Sequence, residues 1–264
     1  VERFFLALLI VGWSIARIAV AWAESDERWH GPYGGAFSAY FTLASDYSFA
    51  GISQTKLGPA VQAGLDYRTP NLASDFPVWL YLSAWGSNIN FPTTGEGVEL
   101  DLAAGVKFRA LDRNLSFDLG YIRYLYPGIP ASYAYEYGEI NLNIGYDFGF
   151  ATLNGRLRYS PNSFSSSGMS WNKRALLSVP LPFLRINEDI WFRTYGSIGN
   201  IWVERFLDYG LPTSDYWYWQ IGLITSAYGL DVTLAYTDTS IDPAGCGYTN
   251  YCSGRFFVSV TKPF

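Results

Sequence analysis

The sequence predicts an all-β protein, and within that class a transmembrane, antiparallel, up-and-down β-barrel of about twelve strands. Three observations point there. Apolar and polar residues alternate with a period of two through much of the chain, the signature of a strand with two unlike faces. Tyr, Phe and Trp supply 21, 18 and 10 of the 264 residues. A soluble core would have to partner all of those polar ring tips, whereas the two interfaces of a membrane satisfy ring and tip together. The last segment, "RFFVSVTKPF", keeps the alternation as far as Phe264, as a strand does when it must pair with the first strand and leave no edge.

Residues 1–23 read as a signal peptide. Arg3 precedes an apolar stretch from Phe4 to Ala16, and Ala21-Trp22-Ala23 forms an A-x-A site, so cleavage is expected after Ala23, with Ala21 as the alternative. An uncleaved anchor would carry Arg17 near its middle. The leader holds Arg3 and Arg17 against Glu2, so its removal leaves the chain more acidic than the full sequence, whose net charge is −5. With that balance and no basic run, nucleic-acid binding is not expected. Residues 24–35, polar and glycine-rich, read as a flexible or plug-like lead-in, and 36–264 as one barrel domain of uniform composition.

Strands are expected near 36–46, 59–68, 77–87, 97–109, 113–126, 133–148, 149–160, 170–180, 188–199, 216–226, 228–238 and 254–264. This spacing leaves about 20 residues for each strand and its connection, which suits transmembrane strands of roughly 9–11 residues. The clearest segment is "GVELDLAAGVKFR": Val98, Leu100, Leu102, Ala104, Val106 and Phe108 share one face, and Glu99, Asp101, Lys107 and Arg109 the other. The same separation sets Ile140, Leu142 and Ile144 against Glu139, Asn141 and Asn143, Leu153 and Leu157 against Arg156 and Arg158, and Leu230, Val232 and Leu234 against Asp231. "WYWQIGLITS" is apolar enough to leave its register open. Periodicity alone does not say which face is inside, so a soluble sandwich or calycin-like barrel is the competing architecture.

Connections alternate in length. "RALDRN" and the junction at "DFGFA" read as tight turns, and "YSFAGISQTKLG", "YPGIPAS", "SPNSFSSSGMS" and "DTSIDPAGCGYTNYCSG" as long loops. An even strand count puts both termini at one, periplasmic, end. Cys246 and Cys252, the two cysteines of a secreted chain, are expected to form a disulfide stapling the last loop. No metal site is expected, because the single histidine, His30, lies far off in the lead-in. Neither an enzyme nor a cofactor is expected. No nucleophile elbow, P-loop or dinucleotide motif is present, and i, i+2 acids such as Glu99 and Asp101 simply share a strand face.

The polar faces carry the candidate functional residues. Glu99, Asp101, Lys107, Arg109, Asp118, Glu139, Asp147, Arg156, Arg158, Arg193 and Asp231 are expected to line a lumen. There, mixed rows of acid and base would set a transverse field and select solutes by charge. The bland alternative is that they pair with one another and hold a narrow barrel shut.

The stretch "SDYSFAGISQTKLGPAVQAGLDY" resembles the amino-terminal signature of the TorF porin family of proteobacteria. "WGSN", "ELDLAAG", "YLYPG", "YEYGEI" and the ending "VSVTKPF" follow in that family's order, with the resemblance strong through 38–150 and weak across 160–250. Ala50 stands where an arginine is expected, which takes a cation out of that loop. The resemblance implies an outer-membrane barrel of a Gram-negative bacterium with pore activity, and it brings no substrate. Together with the strand pattern it leads to the expectation of a narrow passive channel for small hydrophilic solutes or ions. Its partners would be the lipid bilayer and the outer-membrane assembly machinery, to which Phe264 would present an aromatic carboxy-terminal signal. The alternative is a barrel filled by side chains whose outer loops bind a partner.

Overall fold

The computed structural model describes residues 29–74, 76–110 and 114–264. The expected signal peptide and the start of the lead-in lie outside these residues, as do residues 111–113 of the "RALDRN" turn. Twelve strands form the wall: β1 Ala36–Ala44, β2 Ala60–Arg68, β3 Val78–Phe91, β4 Gly95–Ala110, β5 Leu115–Leu125, β6 Tyr137–Asp147, β7 Thr152–Ser160, β8 Ser170–Pro180, β9 Ile190–Val203, β10 Asp215–Ala227, β11 Leu230–Thr239 and β12 Arg255–Pro263. Each pairs antiparallel with its sequence neighbours. β12 returns to β1, from Ser259 opposite Ala44 to Pro263 opposite Tyr40.

The sheet is therefore a closed barrel with no free edge. Thr42 and Thr261 meet across the seam on its inner face, 2.9 Å between hydroxyl oxygens. The backbone of Phe264 continues the seam: its N–H donates to the Ala39 carbonyl at 2.8 Å.

Strand β10 shows which way the faces point. Trp217, Trp219, Ile221 and Leu223 are exposed, and Tyr216, Tyr218, Gln220 and Ile224 between them are buried. The same inversion runs around the wall. Ile221 is 61% exposed and Leu82 59%, while Asp101 and Arg158 are each 1% exposed. A soluble protein buries its aliphatic residues and leaves its charges in water, so this barrel is built inside out. Rings mark both ends of the outer wall. Tyr159 and Trp171 sit 4.6 Å apart at the long-loop end. At the end carrying the termini, Phe108 stacks on Phe117 at 4.6 Å and Tyr146 lies 4.7 Å from Phe148. Among the described residues no helix is long and apolar enough to cross a membrane, a test that does not address strands.

The connections 45–59, 126–136, 161–169, 204–214 and 240–254 lie at one end together with the short turn 92–94, and the turns 148–151 and 228–229 lie at the end carrying the termini, so the expected alternation of long and short fails at 92–94 and again at 181–189, a longer connection on the terminus side. Trp29–His30 pairs with Phe37 and Ala36, and Tyr67 donates to the Pro32 carbonyl at 2.6 Å, so residues 29–35 lie along the wall. The segment that enters the barrel is instead the first long loop.

Candidate functional site

The loop 45–59 folds into the lumen as a small hairpin, Ser48–Phe49 against Ile52–Ser53. Its tip, Ala50 at φ 47° and Gly51 at φ 84°, has the two positive φ values of a tight hairpin turn. Glycine is needed at 51 for space as well, because a Cβ there would collide with Thr239 on the wall. Asp46 pins the loop at its base. It accepts from Ser53 at 2.5 Å and from Thr55 at 3.0 Å, and Arg255 of β12 grips its other oxygen at 2.7–2.8 Å. The same guanidinium donates to the carbonyls of Gly51 and Tyr251 at 2.8 and 3.1 Å. From β3, Asn90 N–H donates to the Gln54 carbonyl at 2.8 Å.

All eleven charges named from the sequence sit on the inward-facing register of their strands, but they do not form one cluster. Near the loop-side ends of β5, β6 and β7, Arg158 pairs with Glu139 at 3.5 Å and donates to Tyr124 at 2.8 Å, and Tyr124 donates to Glu139 at 2.7 Å. This closed triad satisfies charges that burial alone would make costly. Glu99, on the same level, accepts from Tyr47 of the inserted loop at 3.3 Å. Asp101 and Arg156 face a cavity beneath the hairpin tip.

Nearer the termini, Lys107 lies 3.8 Å from Asp118 and over the Tyr81 ring, and Arg193 lies 3.0 Å from Asp231. Arg109 sits over the Trp79 ring at 5.8 Å. Asp147 accepts from the Gly149 N–H at 2.7 Å and shapes a turn. Below the hairpin, Leu176, Tyr195, Ile224, Ala235 and Phe257 form an apolar cluster that further narrows the lumen.

Three participants escaped the sequence reading. Arg174 lines the same cavity as Arg156 but is adjacent to the outward-facing Lys173, so charge in "WNKRALL" did not announce a face. Tyr124 is a buried partner of ions, and Arg255 is the clamp on a loop about two hundred residues away, neither of which strand periodicity reveals.

Above the hairpin the long loops enclose a cavity of about 800 Å³, walled by Phe49, Phe91, Tyr126, Tyr135, Tyr137 and Phe164 among others. Tyr135 stacks on Phe164 at 4.1 Å. Burial pushes the phenols of Tyr126 and Tyr209 up, so these groups stay neutral. The Cys246–Cys252 disulfide forms part of the rim, with 6.0 Å between Cα atoms.

The sequence model of a family described as "Bacterial protein of unknown function (Gcw_chp)" matches residues 30–264. No curated protein matches the chain. Among solved structures, the chain is similar to the NanC porin, with 10% identity over 86% of this chain and 98% of that one, at a TM-score of 0.47. It is similar to LpxR from Salmonella typhimurium with 8% identity, over 86% and 99% of the two chains, at a TM-score of 0.43. It is similar to the outer membrane channel DcaP of Acinetobacter baumannii with 9% identity, over 90% and 99%, at a TM-score of 0.36. Such likenesses concern the barrel and not its activity.

Proposed function

The chain belongs to this bacterial family of unknown function, and from that premise we propose that it is a narrow porin-like channel of the outer membrane. In the present conformation its lumen is closed by the hairpin of residues 45–59. The carrying observation is the inner wall. Acids and arginines, many of them paired, face inward at the height where the hairpin tip sits. A barrel that needed only filling would do better with apolar side chains, since buried ions are costly unless fully paired. The apolar outer band between two sets of rings supports residence in a bilayer, and the resemblance of residues 38–150 to TorF porins supports the same reading. Small hydrophilic solutes or ions are the class a lumen of this width and polarity would admit.

The test is planar-bilayer conductance of refolded protein that shows a heat-modifiable gel shift. Wild type is compared with a variant in which residues 48–53 are replaced by two glycines. Rare, small steps from wild type and larger, more frequent ones from the variant are expected. Silence from both folded proteins would sink the channel.

A second reading has its own observation. The inner wall is buried almost throughout, Thr42, Gln62, Ser87, Thr237 and Ser259 included, and the aromatic cavity opens on the loop side. On that reading the barrel is a filled scaffold and the loops bind a partner.

A further inference from the structure

Outside the lumen, one cation stands on the outer wall among apolar residues. Strand β8 turns Trp171, Lys173, Ala175 and Leu177 outward. Trp171, with Tyr159 beside it, belongs to the rings at the long-loop end. Lys173 lies two residues, about 7 Å, deeper along the strand. Its cross-strand neighbours are Leu157 on one side and Asn200 on the other. Asn200 is engaged elsewhere, its side-chain amide donating to Asp215 at 3.1 Å and to the Tyr216 carbonyl at 3.2 Å. Among the described residues Lys173 itself has no ion pair and no hydrogen bond. Two other outward cations are answered, Arg123 by Glu136 at 3.1 Å and Lys262 by the Gly229 carbonyl at 3.4 Å. A charge on a lipid-facing wall is costly unless an interface or a partner is within reach.

A groove of about 550 Å³ runs along the same face, lined by Leu142, Ile144, Leu157, Ile198 and Trp217, with Lys173 at its loop-side end. It exists because the row next below Lys173 holds small residues. Gly155 lies opposite Ala175 there, with Ile144 and Ile198 on the two flanks. A Cβ at Gly155 would meet nothing nearer than the Ile144 carbonyl oxygen at 4.0 Å. The wall therefore does not need a glycine at this position, and the space above it is open to a guest.

We infer that this groove binds one anionic lipid, an acyl chain lying over Gly155 and Ala175 and the headgroup phosphate meeting the Lys173 ammonium. The order along the wall fits such a guest: rings first, then the cation, then the small residues toward the middle of the strand. The lysine stem lies on apolar surface while its ammonium reaches back toward the rings. A lipid of net negative charge answers that ammonium, whereas a zwitterionic one brings a cation of its own. The inference goes beyond the channel reading. It rests on residence in a bilayer and not on conductance, so a protein that never conducts leaves it standing.

The experiment is native mass spectrometry of the refolded, heat-modifiable protein in dodecyl maltoside. It is titrated with dioleoyl phosphatidylglycerol or with dioleoyl phosphatidylcholine, which share their chains and differ in net headgroup charge. Wild type should hold its first phosphatidylglycerol about fivefold more tightly than its first phosphatidylcholine. Lys173→Gln should bind both alike, at the wild-type affinity for phosphatidylcholine. Gly155→Leu, and independently Ala175→Leu, should fill the groove and lose this first site for both lipids, with the gel shift showing that each variant is folded. Lys262→Gln, at the other end of the outer wall, should behave as wild type. Equal affinity of wild type for the two lipids, or a preference that survives in Lys173→Gln, would overturn the proposal. So would wild-type dimers that both leucine variants abolish, which would give the groove to a second copy of this chain.

Discussion

The two halves of the lumen are closed by different means. Toward the long loops the occupant is a separate piece of chain, the hairpin of residues 45–59, held by ions and hydrogen bonds to Arg255 and Asn90. Toward the termini the occupants include side chains of the wall itself, Leu176, Tyr195, Ile224, Ala235 and Phe257, packed on one another. A segment pinned at a few polar points is displaced by breaking those points. Wall side chains leave only if the wall deforms. On the proposed channel reading, the difference teaches where a gate is to be sought: in the upper half, with the lower half setting a fixed width.

The largest effect should come from the polar half. Arg158→Ala leaves Glu139 buried with Tyr124 as its remaining partner, and should cost about 3–5 kcal/mol of barrel stability, read from the urea midpoint of refolded protein. A loss below about 1 kcal/mol would mean that water already reaches the pair, and the contrast between the halves would fall. Leu176→Ala, in the apolar half, should cost about 3 kcal/mol by cavity creation. It should also raise conductance further when combined with the hairpin replacement than when made alone. If the single change opens the channel by itself, the lower half is the gate.

Reducing Cys246–Cys252 should act on the rim only, with at most about 2 kcal/mol felt locally. Proteolysis of residues 240–254 should speed up while the global midpoint hardly moves. The smallest effect belongs to Arg123→Ala. Its ion pair with Glu136, at 3.1 Å, is exposed on both sides, and the midpoint should change by no more than about 0.5 kcal/mol. A larger change would show that the loop carrying Glu136 helps to hold the vestibule closed.

Much of the wall was legible in advance because a strand writes its two faces into alternate residues. Val98 to Phe108 against Glu99 to Arg109 is such a record, and those charges do face inward. Where the record is blurred, the sequence left the register open. In "WYWQIGLITS" both faces carry rings and aliphatic residues, and the outer and inner rings of β10 differ in position but not in kind. Lys173 and Arg174 are adjacent cations on opposite faces, so composition could not say which one lines the cavity.

The amino-acid order by itself determined that twelve alternating segments would pair in sequence, how their faces divide, and that two nearby cysteines would join, because each of these depends on residues close together in the chain. Only the tertiary structure decided that the charged faces turn inward, that the loop 45–59 enters the barrel, and that Arg156 meets Arg174 under Ser48. Those outcomes depend on closure of the wall and on contacts such as Asp46 with Arg255, between residues some two hundred positions apart, and such distances leave no period for a local pattern to carry.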